Sequence, residues 1–209
     1  FYALNSDGTL RFMFETDDDI SSEASIVDIQ GVGPVIFFSS SNMVYAIETN
    51  GETYGNWPMA APGEVTSSIV FSQVNGQDYA IFGDQAGYVH MYTLSGEPYP
   101  NFPIVYDFPF KGTPTIDDID GDGDLEILIG STQTLVSIDI KESGNADGYW
   151  NTHRSNMHRD GHFASTMDAL DILDEIMDYE FALYNAYPNP FNPTTTIEFE
   201  LPSLMNISL

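Results

Sequence analysis

The chain is predicted to be all-β, and three observations carry that prediction. Its sequence repeats with a period of about 45 residues, its β-branched and aromatic runs are short and cut by Gly, Asn and Asp, and an acidic glycine-rich loop sits where two such runs meet. The units lack the i, i+3, i+4 apolar spacing of a helical repeat. Four short strands in roughly 40–50 residues is the signature of a propeller blade. The expected architecture is a partial β-propeller of about three to four four-stranded blades, with the first strands of a small β-sandwich after it. Blades are assigned to residues 1–163, an acidic linker to 164–182 and the start of the sandwich to 183–209.

The repeat is visible residue by residue. Gly51-Glu-Thr-Tyr-Gly-Asn-Trp-Pro-Met59 aligns with Gly96-Glu-Pro-Tyr-Pro-Asn-Phe-Pro-Ile104 at a shift of 45. Val44-Tyr-Ala-Ile47 aligns with Val89-His-Met-Tyr92 at the same shift, and Tyr2-Ala-Leu4 with Tyr45-Ala-Ile47 at 43. A further copy begins at Leu135-Val-Ser-Ile-Asp139. Each unit opens with a strand, a turn and a strand: Ser25 to Phe38, Ser68 to Phe82, and Thr115 to Ile129. Propellers close with roughly four to eight blades. The chain opens and stops inside strands, so it is read as a piece of a longer protein with further blades expected before Phe1.

In the third copy the turn is Asp118-Ile-Asp120-Gly-Asp122-Gly-Asp124-Leu-Glu126. Calcium takes six to eight oxygens at about 2.3–2.6 Å and favours carboxylates two residues apart on a tightly turning backbone. Asp118, Asp120 and Asp122 have that spacing, and Gly121 and Gly123 permit the turn. Asp124 is expected to offer its backbone carbonyl with its side chain in solvent, and Glu126 to close the site. An EF-hand needs a glutamate at the twelfth position and flanking helices. The twelfth residue here is Ile129, inside a strand. The sister turns keep only Asp28-x-Gln30-Gly-x-Gly33 and a displaced Asp78, and are expected to close without metal.

The formal charge is −27, with five Lys and Arg against 32 Asp and Glu. That balance excludes phosphate backbones and anionic membranes as natural partners. It fits a saline habitat or a calcium-rich exterior equally well. The absence of cysteine removes disulfides and thiolate chemistry. No apolar run approaches the ~20 residues of a membrane helix, so membrane insertion is not expected.

The loop Asp118-x-Asp120-Gly-Asp122-Gly-x-x-Glu126, together with the blades, resembles the FG-GAP/VCBS repeat family, extracellular propellers related to the head of integrin α-subunits. The resemblance implies calcium at Asp118, Asp120, Asp122, the Asp124 carbonyl and Glu126, as a staple in a blade turn. Trp150…His153-Arg154…Arg159-Asp-Gly161 is similar to the stretch that follows the last blade in bacterial members. Independently, Tyr187-Pro-Asn-Pro-Phe-Asn-Pro-Thr194 and the alternating strand after it resemble the opening of a type IX secretion C-terminal sorting domain. That implies a secreted or surface-attached bacterial protein whose parent engages the type IX machinery.

Other features are read as structural. His153, His158 and His162 have a spacing zinc can accept, yet Arg154 and Arg159 between them oppose a cation. A polar loop whose arginines pair with acids is expected there. His90 is expected at the surface of its strand. Trp57 and Phe102, at equivalent positions, are assigned to packing between blades. Tyr2-Ala-Leu-Asn5 and Tyr45-Ala-Ile-Glu48 are similar to strands of quinone-cofactor propellers, but the chain has too few cations for that tricarboxylate. Nucleophile elbow and phosphate loop are both missing from the sequence.

The reading that results is a non-catalytic, calcium-stabilised platform for adhesion or for a protein or glycan ligand. The alternatives are a propeller enzyme such as a calcium-containing polysaccharide lyase, or a spacer for an upstream catalytic domain such as a peptidase. No basic cluster that would receive an acidic sugar is visible along the sequence.

Overall fold

The computed structural model describes residues 1–156 and 158–163, and the strand residues 182–183 and 199–200. The chain divides into two compact units, Phe1–Phe163 and Ala164–Leu209. In the second, strands Ala182–Leu183 and Phe199–Glu200 pair antiparallel. The linker at 164–182 and the sorting-domain opening at 183–209 otherwise lie outside the described residues.

The first unit is all-β, and no helix forms among the described residues, so none is long and apolar enough to cross a membrane. A hairpin of β1 (Tyr2–Leu4) and β2 (Leu10–Met13) comes first. A four-stranded antiparallel meander follows, from β3 (Ser25–Ile29), β4 (Gly33–Ser40), β5 (Met43–Glu48) and β6 (Met59–Ala60). The second meander is β7 (Val70–Val74), β8 (Gln77–Gly83), β9 (Tyr88–Thr93) and β10 (Ile104–Val105). The third has three strands, β11 (Thr115–Asp117), β12 (Asp124–Gly130) and β13 (Leu135–Asn145).

The third meander gains no fourth strand because its chain leaves sideways. Gly144 and Asn145, at the end of β13, pair with Val74 and Gln73 of β7. Trp150 then accepts from the Phe71 amide, and Asn151 from the Ile116 amide. The second and third meanders become one seven-stranded sheet, ordered β10-β9-β8-β7-β13-β12-β11, and none of the sheets closes on itself.

The 45-residue offset reappears as identical hydrogen bonding. Val44 pairs with Met59 and Val89 with Ile104. Isolated bridges join Ile47 to Thr53 and Tyr92 to Pro98. Tyr54 donates to Ala46, and Tyr99 to Met91.

Side-chain alternation distributes these strands over three apolar layers. In β4, Ile36 and Phe38 turn towards Phe1, Phe12 and Phe14 at the hairpin side. Val35 and Phe37 turn the other way, onto Phe71 and Phe82 of the second meander. Ile81 and Met91 face Phe110, Leu125 and Ile127 of the third. Inner strands buried on both faces read as continuous apolar runs, and each such large side chain contributes roughly 1.5–3 kcal/mol of transfer free energy. Trp57 is packed between the first two meanders, its ring edge-on to Phe37 at 5.3 Å and to Tyr92 at 6.0 Å.

Candidate metal centre

The acidic loop is the turn between β11 and β12. The two strands hold it through the pairs Thr115–Leu128, Ile116–Ile127 and Asp117–Glu126. Pairing Asp117 with Glu126 leaves eight residues for the turn, and Gly121 and Gly123 take φ of 79° and 93° to close it. Those angles are strained for any residue with a Cβ.

The carboxylates divide into two roles. Asp118 organises backbone. Its Oδ1 accepts from Gly121 N at 2.7 Å and Asp122 N at 3.2 Å, and its Oδ2 from Gly123 N at 3.0 Å. The other four converge: one oxygen from each of Asp120, Asp122, Asp124 and Glu126 lies within 4.8 Å of all the rest. Oxygens bound to one ion at 2.3–2.6 Å stand at most about 4.6–5.2 Å apart, so this group can hold a metal ion.

Two of the four have an oxygen in need of a partner. Glu126 is 7 % exposed, its Oε2 accepts from Ile119 N at 2.8 Å, and its Oε1 is buried with no hydrogen bond. Asp124 Oδ1 is likewise buried and unpartnered. A buried carboxylate oxygen without a donor is costly, and a cation at the centre of the group supplies what both oxygens lack. The hydrogen bond that the protonated Asp124 carboxyl donates to Asp122 is the main influence on Asp124. With desolvation and the negative charges of Asp122 and Asp139, it pushes the Asp124 carboxyl up to about 6. Asp122 is lowered in turn by its bonds with the Asp124 side chain and amide. The cation nearest in chemistry, Lys141, is engaged in an ion pair with Asp139.

The structure therefore distributes the five sequence-predicted ligands differently. Asp120, Asp122 and Glu126 meet as expected. The Asp124 side chain turns into the group instead of into solvent: it stands two residues before Glu126 on β12, and alternation puts both on one face. The Asp118 side chain is occupied by amides.

Three further sites differ from, or add to, the sequence reading. His90 is buried at 2 % exposure, with its Nε2 3.0 Å from Asp84 Oδ2 and its ring stacked on Phe82 at 4.7 Å. It was expected at the surface; the strand is buried on both faces, which alternation alone does not reveal. Asp78, the displaced acid of the second turn, accepts from Tyr149 OH at 2.7 Å and Gln73 Nε2 at 3.1 Å. The burial of Tyr149 and the Asp78 charge raise that phenol well above its usual range. Neither Arg154 nor Arg159 makes the expected ion pair among the described residues. His153 Nδ1 instead lies 3.5 Å from Glu23 Oε2.

No family model matches the chain, and no curated protein matches it.

Proposed function

We propose that the chain is a calcium-stabilised segment of a β-propeller, a non-catalytic platform for adhesion or for a protein or glycan ligand. Its protein would be secreted or surface-attached in a bacterium, with the type IX machinery engaging the parent through the sequence after residue 183. The observation that carries this reading is the convergence of Asp120, Asp122, Asp124 and Glu126 within 4.8 Å, two of them with buried, unpartnered oxygens. Their span suits calcium, and all-oxygen, carboxylate-rich ligation is calcium's preference. Successive antiparallel meanders with the same hydrogen bonds every 45 residues support the propeller. The 32 acidic residues suit an exterior where calcium is plentiful.

Calcium in extracellular modules binds at about 10⁻⁴–10⁻³ M. At about 10 mM calcium, mass action then adds roughly 1.4–2.7 kcal/mol to the folded state. Thermal unfolding with calcium and with chelator tests this: the melting temperature rises with calcium in the wild type and does not respond in Asp120→Ala. A wild-type curve indifferent to both additions would sink the calcium reading.

A further inference from the structure

Three loops that stand 45 residues apart meet at one cleft. Each leads into the first strand of a meander, and Ile20, Val65 and Phe110 occupy the same place in the three loops. Ile20 bridges to Ser40, Val65 donates to the Ser41 carbonyl, and Phe110 bridges to Ser131. The next residues, from Ser21, Thr66 and Lys111 onward, line a cleft of about 570 Å³, with Thr152, His153 and Arg159 along its remaining side. That volume lies within the roughly 300–1,000 Å³ of small-ligand sites.

The walls are fixed to one another. Ser21 Oγ donates to the Val65 carbonyl at 2.8 Å, Ser68 N to Thr113 Oγ1 at 3.1 Å, and the Thr115 and Thr152 hydroxyls lie 2.9 Å apart. A ligand would meet a surface already in place, which reduces the ordering cost of binding.

Its chemistry is unlike an ordinary ligand pocket. Ile20 is the one large apolar side chain in the lining, and no Phe, Tyr or Trp takes part. Serine and threonine predominate, and Thr66 Oγ1 is buried without a hydrogen-bond partner. Two of the chain's five Lys and Arg, Lys111 and Arg159, come to this cleft, although the formal charge of the whole is −27. Both are exposed, and the ion pairs among the described residues engage neither. The acid in the lining, Glu23, faces His153.

From this placement we infer that the cleft binds a short anionic oligosaccharide, with Lys111 and Arg159 receiving its acid groups and the hydroxyl walls its ring hydroxyls. The inference deepens the glycan-platform reading above and rests on it. An acidic peptide fits less well, because acidic motifs are received by clusters of arginine and other peptides by apolar pockets or a free strand edge, whereas the lining offers a single arginine and a wall of hydroxyls. Long polyanions would meet the negative surface beyond the cleft, so a short ligand is favoured and binding weakens with salt.

Titration calorimetry of the whole chain in calcium-containing buffer tests it with four probes. These are a tetrasaccharide of uronic acid, a sulfated tetrasaccharide, the uronate with its carboxylates reduced to alcohols, and hexaglutamate. At least one anionic sugar binds, the reduced sugar binds at least about tenfold more weakly, and Lys111→Gln with Arg159→Gln weakens the anionic sugar by about tenfold or more. The two anionic arms tell carboxylate from sulfate. Unchanged affinity in the double variant, equal binding of hexaglutamate, or no binding of either anionic sugar would overturn the inference. Binding of the reduced sugar alone would also overturn it while leaving a glycan platform standing, and the chelator experiment judges the calcium reading separately. Both substituted side chains are exposed, so an unchanged melting temperature will show that the fold survives.

Discussion

The indole N–H of Trp57 donates to the carbonyl of Leu94 at 2.8 Å, fastening the first meander to the second. Phe102, its counterpart 45 residues on, has no such donor. Trp57→Phe keeps much of the ring contact with Phe37 and Tyr92 but leaves the Leu94 carbonyl without this bond, at a cost of about 1–3 kcal/mol. Trp57→Ala removes the ring as well and costs about 3–5 kcal/mol. Equilibrium urea unfolding separates the two; a Trp57→Phe variant as stable as the wild type would refute the bond's importance.

Asp118 and Asp124 should behave oppositely. Asp118→Ala removes the acceptor of three backbone amides and leaves those of Gly121 and Gly123 without this partner, while Asp122 N keeps Asp120 Oδ1, so the melting temperature falls even with chelator present. Asp124→Asn removes charge repulsion within the cluster, so with chelator at neutral pH its melting temperature rises, while the response to calcium is lost. The folded-state value near 6 lies above the ordinary 3.8, so the metal-free wild type gains stability as pH falls through that interval and loses it as pH rises. Asp124→Asn lacks this component. The lowered Asp122 acts below the interval and in the opposite sense. Calorimetric scans across pH 4 to 7 check the pattern.

Asp84 is fully buried and accepts from Gly63 N at 3.2 Å, Ala86 N at 2.9 Å and Tyr88 N at 3.0 Å, besides meeting His90. Burial alone would raise its carboxyl. The bonds with His90, Tyr88 and Gly63 outweigh it and hold the group below its ordinary 3.8. A lowered carboxyl stabilises above the unfolded value, and that contribution disappears as pH falls through the folded one. Asp84→Ala is expected to cost about 3–5 kcal/mol at pH 7. The deficit shrinks below about pH 4. A constant difference in urea stability between pH 7 and acid would contradict this.

Gly144 lies where β13 crosses to β7. A Cβ there would come 2.5 Å from Leu125 Cδ1 and 3.0 Å from the Gln73 carbonyl. Gly144→Ala should cost about 1–3 kcal/mol through overpacking. Hydrogen exchange should quicken at Asn75, whose amide donates to Ser143 at the crossing. Unaltered protection at Asn75 would show that the crossing tolerates the methyl.

What the sequence made legible was local and periodic. The 45-residue shift alone puts Val44 and Val89 in matching strands, and two-apart carboxylates locate the acidic turn. Which oxygen faces inward was not legible. Read as a loop residue, Asp124 gives its side chain to solvent, whereas alternation along β12 puts it on the face of Glu126, two residues on. His90 misled for a similar reason, since its polarity implied solvent while Asp84, six residues away, supplied a buried partner. Lys111 and Arg159 stand 48 residues apart in sequence, and only the packing of the segment after β13 beside the three equivalent loops brings both to one cleft.

The sideways exit of the chain after β13 also has a mechanical meaning. Tension arriving from the C-terminal side reaches Asn151 and Trp150 before it reaches β13. Their carbonyls hold the amides of Ile116 in the third meander and Phe71 in the second. A pull is thus divided between two meanders of the seven-stranded sheet where the backbone first bonds to it, and β13 is shielded from being peeled off β12. For a chain pulled from that side, the side-chain contacts of His153 and Thr152 would yield first, and this junction is where the sheet's own backbone would take up the load.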